Sequence, residues 1–214
     1  MRILFIYPNI NAQVGFNFGI VFISALLKKH GHETKLINLN EKLSRVPDNS
    51  EIQKIIEEYK PQLIGFSVVT PQYQYALKIA KHIKSFCDIP IICGGIHATM
   101  VPEEVISEEC IDYVCVGEGE ETVLELATNL EKQIDTKHIA NLWTMDGGKI
   151  VSNKVRPLPD LAKLPRKDYE IFDFQNMIDA EDGWVRLMTS RGCPFRCTYC
   201  FNHSIVERYK KETG

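Results

Sequence analysis

Short apolar runs recur between Arg2 and Leu130, each followed by a segment with helical periodicity, and this alternation restricts the fold more than any other feature. The runs are Arg2–Tyr7, Thr34–Asn38, Leu63–Val69, Ile89–Cys93 and Asp112–Val116. A run apolar at successive positions marks a strand buried on both faces, as in a parallel sheet. Between them lie helical patterns, with Ile20, Ile23 and Leu27 on the first and Ile52, Ile55 and Ile56 on the second. The first stops at Lys29-His30-Gly31, with basic residues in the last turn and glycine beyond, and the second must end before Pro61. Thr70-Pro71 predicts a further start, with threonine as the cap, and Pro102-Glu103-Glu104 another, acidic where the helix dipole favours it. A last helix runs through Leu124, Leu126 and Leu130. The pattern predicts an α/β fold: a doubly wound, parallel, five-stranded sheet of Rossmann-like type in flavodoxin-like order.

The rest of the chain differs in character. Ile139–Ser152 reads as a small hairpin turning at Asp146-Gly147. From Asn153 to Gly183, Pro157, Pro159 and Pro165 stand among charges, which predicts an extended linker over the surface. The run Trp184–Thr189 predicts one more strand. The expected organisation is therefore an α/β domain over 1–152, a linker over 153–183 and the beginning of a second, incomplete domain over 184–214. One strand and a loop cannot bury a core, so the chain reads as the front of a longer protein.

Ligands of open α/β sheets sit at the carboxyl ends of the strands. The loops there are Asn9–Asn17, Ser67–Thr70, Gly94–His97 and Gly117–Glu120. The first has no G-x-G-x-x-G, and Glu118, Glu120 and Glu121 would repel a pyrophosphate, so a dinucleotide site lacks its fingerprint. No aspartate ends the first or third strand, which argues against a phospho-acceptor receiver. What remains is a rim of glycines, small hydroxyls and carboxylates: Ser67, Thr70, Gly94, Gly95, Gly117, Glu118 and Gly119. Such a rim suits a large, flat ligand rich in amides, because glycine permits close approach and carboxylates accept amide hydrogen bonds. The Gly-Gly pair also serves any tight strand-to-helix turn, and His97 after it is either a loop residue facing the ligand or a surface or capping histidine. A formal charge of −3 gives no reason to expect nucleic acid or an anionic membrane as partner. No apolar run nears transmembrane length, and seven cysteines without framework spacing fit a reducing, cytoplasmic setting.

Three of those cysteines, Cys193, Cys197 and Cys200, stand at C-x₃-C-x₂-C spacing in Ser190-Arg191-Gly192-Cys193-Pro194-Phe195-Arg196-Cys197-Thr198-Tyr199-Cys200. Three thiolates can hold three irons of a [4Fe–4S] cluster, leaving the fourth an open position. Arg191 and Arg196 would offset the thiolate charge and lower the thiol pKa values. The alternatives are a zinc site completed by His203, a thioredoxin-like redox pair of Cys197 and Cys200, or thiols with no ligand. Cys87, Cys93, Cys110 and Cys115 read as core or edge thiols.

The cysteine loop after a strand, with Tyr199 before its last cysteine, resembles the signature of the radical S-adenosylmethionine (SAM) enzymes. Leu63-Ile64-Gly65-Phe66-Ser67, Cys93-Gly94-Gly95-Ile96-His97-Ala98-Thr99 and Val116-Gly117-Glu118-Gly119-Glu120 are similar to the cobalamin-binding domain that precedes the radical SAM barrel in one large group of them. The resemblance spans the whole chain. It implies a [4Fe–4S] cluster on Cys193, Cys197 and Cys200, SAM on the open iron with Tyr199 flanking its adenine, and cobalamin on the rim. The implied chemistry is SAM cleavage to a 5′-deoxyadenosyl radical, serving methyl transfer or an oxidative cyclisation like that of the anaerobic Mg-protoporphyrin monomethyl ester cyclases. An electron donor and a small-molecule substrate are the implied partners, and residues 1–214 alone are expected to be inactive. Many other cobalamin domains carry D-x-H-x-x-G after the first strand, where this chain reads Asn9-Ile10-Asn11-Ala12-Gln13-Val14-Gly15. The implied cobalt therefore has no histidine ligand from this loop, and His97 is not expected to supply one.

Overall fold

A computed structural model describes residues 1–214. Strands β1 (Arg2–Pro8), β2 (Glu33–Leu39), β3 (Leu63–Ser67), β4 (Ile91–Gly94) and β5 (Tyr113–Cys115) pair in parallel in the order β2-β1-β3-β4-β5. Helices α1 (Phe18–Lys29), α2 (Asn49–Tyr59), α3 (Tyr73–Lys84), α4 (Ile96–Met100), α5 (Pro102–Ile106) and α6 (Glu120–Lys132) occupy the crossovers. The flavodoxin-like order is therefore present, but the sheet is larger than the five strands expected. The segment after α6 forms β6 (Leu142–Asp146) and β7 (Lys149–Ser152), which add two antiparallel strands to the β5 edge, for seven in all. Asp146 pairs with Lys149, so the turn is Gly147-Gly148 rather than Asp146-Gly147. Both glycines have positive φ, as a two-residue hairpin turn requires.

The strand pleat divides the core. Leu4, Ile6, Ile64, Phe66, Ile91 and Val114 join the apolar sides of α2, α3 and α5 in one cluster. Ile3, Phe5, Leu63, Ile92 and Cys115 join those of α1 and α6 in the other. Ile3, Leu4, Ile6, Leu63, Ile64 and Ile91 are wholly buried, each worth about 1.5–3 kcal/mol relative to exposure. Local signals agree with this packing. The Asn17 side chain accepts from Ile20 N at the start of α1, and Asp48 and Glu51 form a capping box on α2. At Thr70 the expectation fails in detail: Thr70–Gln72 is a 3₁₀ turn with no side-chain cap, and α3 follows it.

Residues 153–183 lie against the sheet and α1 and bury Phe172 and Met177 in the core. Phe16 packs with Tyr169, Phe172 and Phe174, from a 3₁₀ turn (Tyr169–Phe172) and α7 (Phe174–Asp179). Asp168 accepts from the Ser24 hydroxyl and pairs with Lys28 at 2.7 Å. The expected strand at Trp184–Thr189 is absent: these residues form no ladder, and Trp184 and Leu187 are exposed. A strand needs a neighbour for its backbone groups, and none is near. After the cysteine loop, α8 (Asn202–Thr213) returns to the carboxyl edge of the sheet and buries Tyr209 there. No helix is long and apolar enough to cross a membrane.

Candidate functional site

A cavity of about 580 Å³ opens at the carboxyl ends of β1, β3, β4 and β5 and runs inward between the sheet and α1 and α6. Its mouth is made by Ser67, Val68, Val69, Gly94, Gly95, Gly117, Glu118 and Gly119, and its depth by Phe5, Ile20, Ile23, Ile92 and Val123. Most of the lining is apolar, and the polar groups Tyr7, Asn17, Ser67, Glu118 and Glu120 are few. Asn17 Nδ2 donates to Ser67 Oγ at 2.9 Å while its carbonyl caps α1, so one side chain holds both walls. The Ser67 hydroxyl keeps its own hydrogen to donate. Glu120 is only 2% exposed, and its Oε2 has no partner.

Six of the eight rim residues singled out from the sequence meet here: Ser67, Gly94, Gly95, Gly117, Glu118 and Gly119. Thr70 and His97 do not line the cavity. They pair with each other, His97 Nδ1 lying 3.2 Å from Thr70 Oγ1, and the imidazole packs tilted against the Tyr73 ring, centroids 4.1 Å apart. His97 is buried rather than a surface histidine, its Nε2 has no partner, and burial pushes its pKa below the usual imidazole value.

The glycines need correcting in one respect. Gly95 has φ +90°, and a Cβ there would meet Val68 O at 2.6 Å and Val68 N at 2.7 Å. Its lack of a side chain is demanded by the turn packed on β3, not by a ligand. At Gly119 a Cβ would stand 3.1 Å from Ile23, so this glycine keeps α6 close to α1 inside the cavity wall.

The Glu118 and Glu120 carboxylates are each partly engaged within the protein, leaving Glu120 Oε2 unpartnered. Arg191 reaches across from the cysteine loop and forks onto the Glu118 and Glu120 carboxylates, and its guanidinium lies 4.7 Å from the Phe22 ring centroid. Burial pushes the Glu118 carboxyl above its usual range, and Arg191 pulls the other way. Arg191 was expected to offset thiolate charge; its partners are these carboxylates instead, and the reach over more than seventy residues carries no local sequence signal. Arg196 lies 3.8 Å from Glu207. Tyr209 accepts from Glu118 N at 2.8 Å, and Arg208 donates to Thr99 O at 3.0 Å, fixing α8 beside the cavity mouth. Phe201, next to Cys200, enters the cavity wall. Neither Tyr209 nor Phe201 was singled out from the sequence.

The three cysteines share this loop but are not gathered. Cys197 is exposed and Cys193 and Cys200 are half-buried, and no three His, Cys, Asp or Glu side chains are arranged to hold a metal ion. In this arrangement the loop does not fit a cluster. His203 is half-buried with Nδ1 unpartnered, and Tyr199 is 92% exposed. Cys93, Cys110 and Cys115 are buried, and burial pushes the Cys93 and Cys115 thiols up to about 12, as inert core thiols behave.

Comparison with known proteins adds the family. The B12 binding domain family matches residues 12–127, more than half of the chain. An uncharacterized methyltransferase of Pyrococcus horikoshii is 30% identical over 94% of this chain and 45% of its own length. The anaerobic magnesium-protoporphyrin IX monomethyl ester cyclase of Rubrivivax gelatinosus is 28% identical over 98% of this chain and 40% of its own length. The chain thus spans less than half the length of these relatives. Among solved structures, the cobalamin-dependent SAM radical enzyme OxsB, with aqua-cobalamin and SAM bound, superposes with a TM-score of 0.77 at 22% identity, over 93% of this chain and 28% of its own. The radical SAM methyltransferase TsrM of Kitasatospora setae, with tryptophan substrate and a SAM analogue bound, gives 0.73 at 19% identity, over 98% of this chain and 45% of its own. The chain belongs to the B12-binding domain family, and it shares the fold of the matching portions of these two solved structures.

Proposed function

We propose that the chain is the cobalamin-carrying part of a radical SAM enzyme that performs methyl transfer or oxidative cyclisation on a small molecule. The observation that supports this is the cavity at the carboxyl edge of the sheet, onto whose mouth Arg191 ties the cysteine loop. Cobalamin is a broad, nearly planar ring with amide arms and a long nucleotide tail. The open edge of the sheet would offer it a shelf, and the apolar depth between Phe5, Ile23 and Val123 would take an apolar part of the ligand. Glu120 Oε2 supplies the unpartnered buried acceptor that an amide N–H satisfies, and Ser67 supplies a donor. The names of the relatives, methyltransferases and cyclases, support the reaction class.

Bound cobalamin would supply methyl-group or electron-transfer chemistry. This chain's residues bind and orient it: Asn17 and Ser67 fix the wall, and Phe201 narrows access of water. The assignment of Cys193, Cys197 and Cys200 to a [4Fe–4S] cluster and of Tyr199 to SAM rests on their spacing. Metal binding is commonly coupled to ordering of its ligands, and a loop with free thiols can close around a metal it does not yet grip.

Titration of the 214-residue chain with hydroxocobalamin tests the main claim. Saturable one-to-one binding with a changed visible spectrum is expected, and no binding at tenfold excess over protein would refute it. For the cysteines, anaerobic reconstitution of the full-length enzyme followed by iron, sulfide and zinc analysis separates the alternatives, the 214-residue chain alone being expected to take up little or no iron. Iron with sulfide, lost in Cys193→Ala, Cys197→Ala and Cys200→Ala, is expected; zinc without sulfide would favour a site completed by His203.

A further inference from the structure

Between Trp184 and Tyr199 most of the chain faces solvent: Trp184 is 78% exposed, Leu187 72%, Phe195 71% and Tyr199 92%. Arg191, like Met188 and Cys193, is less exposed: its side chain is only 16% exposed, against 47% for Arg186, which reaches back to Gln13. The guanidinium is held on three sides by the Glu118 carboxylate, the Glu120 carboxylate and the Phe22 ring. A planar fork suits two carboxylates at once, which a lysine ammonium cannot match. Cys193 follows two residues later, so the anchor governs where the cysteine loop begins.

The anchor is attached to the cavity itself. Glu118 and Glu120 line the cavity with one part of their structure and receive Arg191 with another. The same Arg191 lines a second cavity of about 480 Å³, between the loop, the linker and α8, so the ion-paired side chains form the partition between the two spaces. At the far end of the loop Phe201 stands in the wall of the first cavity. A ligand there touches both the residues that hold the loop and a residue the loop carries.

We infer that Arg191 is a positioning residue that couples occupancy of the cavity to docking of the cysteine loop, so that a bound corrinoid and the Cys193–Cys200 segment stabilise one another's placement. This rests on the cavity being the corrinoid site. The coupling is positive, because the docked loop adds Phe201 to the surface that the ligand contacts and the Arg191 charge neutralises two carboxylates on its wall. By linkage the effect is reciprocal: whatever factor the docked loop adds to ligand affinity, the ligand adds to loop docking.

Cysteine alkylation reads this without enzyme activity. The metal-free 214-residue chain is treated with iodoacetamide, with and without methylcobalamin in the dark, and modification of Cys193, Cys197 and Cys200 is followed by mass spectrometry. In the parent chain methylcobalamin should slow modification of these three by about fivefold or more, the lower end of ordinary coupling factors. Arg191→Gln should raise the rate at the half-buried Cys193 and Cys200 without ligand, abolish the protection and weaken methylcobalamin binding by the same factor. It also leaves Glu120 buried and unpaired, which can cost several kcal/mol, so Arg191→Gln/Glu120→Gln, which removes both partners, is the companion variant and should behave alike. Arg191→Lys should restore the protection only in part. Methylcobalamin binding with undiminished protection in the double variant would overturn the coupling and leave the cavity assignment standing. Failure of methylcobalamin to bind the parent chain would overturn both. An unchanged modification rate in ligand-free, folded Arg191→Gln would show that the residue anchors nothing.

Discussion

At the scale of single residues, the site depends on positions whose demands come from the protein before any ligand. Gly95 has a left-handed φ and no room for a Cβ against the Val68 backbone. Gly95→Ala should therefore cost about 1–3 kcal/mol of stability, the range for an unfavourable backbone conformation, whether or not corrinoid is present. Urea unfolding would check it, and a loss below about 0.5 kcal/mol, the size of a neutral surface change, would mean the turn tolerates a side chain. His97 makes a prediction in pH. Burial lowers its pKa beneath the ordinary value of 6.5, with Glu104 acting weakly in the opposite sense, and its contacts are Thr70 and the Tyr73 ring. The unfolded chain then takes up a proton that the folded chain resists. Stability from this group is complete above pH 6.5 and declines as pH falls through the window between 6.5 and the lowered folded value. His97→Gln should flatten that part of the stability–pH curve. His32, whose pKa burial also lowers, leaves a residual slope. An unchanged slope in His97→Gln would show that the imidazole is not desolvated.

Elements show where the sequence was legible and where it was not. All five parallel strands follow from short apolar runs alternating with helical periodicity, while their order matches the flavodoxin-like arrangement expected among the few that right-handed crossovers allow. The β6–β7 hairpin was visible, but its attachment to β5 was not. That attachment rests on Asn141, which is wholly buried with positive φ: its amide donates to Val116 O at 2.6 Å and its carbonyl accepts from Arg156 N at 2.8 Å. An asparagine in a loop carries no sign of such a role. Trp184–Thr189 misled for the opposite reason: its composition is that of a strand, but composition cannot supply a partner. Of the site, the glycine rim was legible and the ion-paired partition was not, since only the fold brings Arg191 to Glu118 and Glu120. The packing of α8 has its own test. Tyr209→Phe removes one acceptor from Glu118 N and should cost about 1 kcal/mol, whereas Tyr209→Ala empties a buried site and should cost about 3–5 kcal/mol. Thermal melting would rank the two. Equal, negligible losses would mean that α8 is not seated on the sheet as described.

At the scale of the whole molecule, the sheet and its helices form the bulk of the core, to which Val155, Phe172, Met177 and Tyr209 of the later chain add, while the segment between α7 and α8 has a different character. Each face of the sheet has its own continuous apolar cluster, and the central strands β1 and β3 contribute to both. Their amides are paired on two sides, so they open only when the whole domain does. Trp184–Tyr199 has no ladder, and its large apolar side chains are exposed. It is held by a few side-chain contacts, from Lys167 to Met188 O, from Arg186 to Gln13 and from Arg191 to the two glutamates. Breaking such contacts costs a small part of the global free energy, so this segment opens without the domain unfolding. Amide hydrogen exchange should therefore divide the chain in two. Ile3–Ile6 and Leu63–Phe66 should exchange at the rate set by global unfolding, slowing with added stability. Val185–Met188 should exchange orders of magnitude faster and be indifferent to changes in the core such as Gly95→Ala. Protection of Val185–Met188 equal to that of β1 and β3 would mean that this segment has found a strand partner and is part of the domain. Protection rising in Cys193–Cys200 alone on adding methylcobalamin would instead place the response to ligand in the loop, where Arg191 holds it.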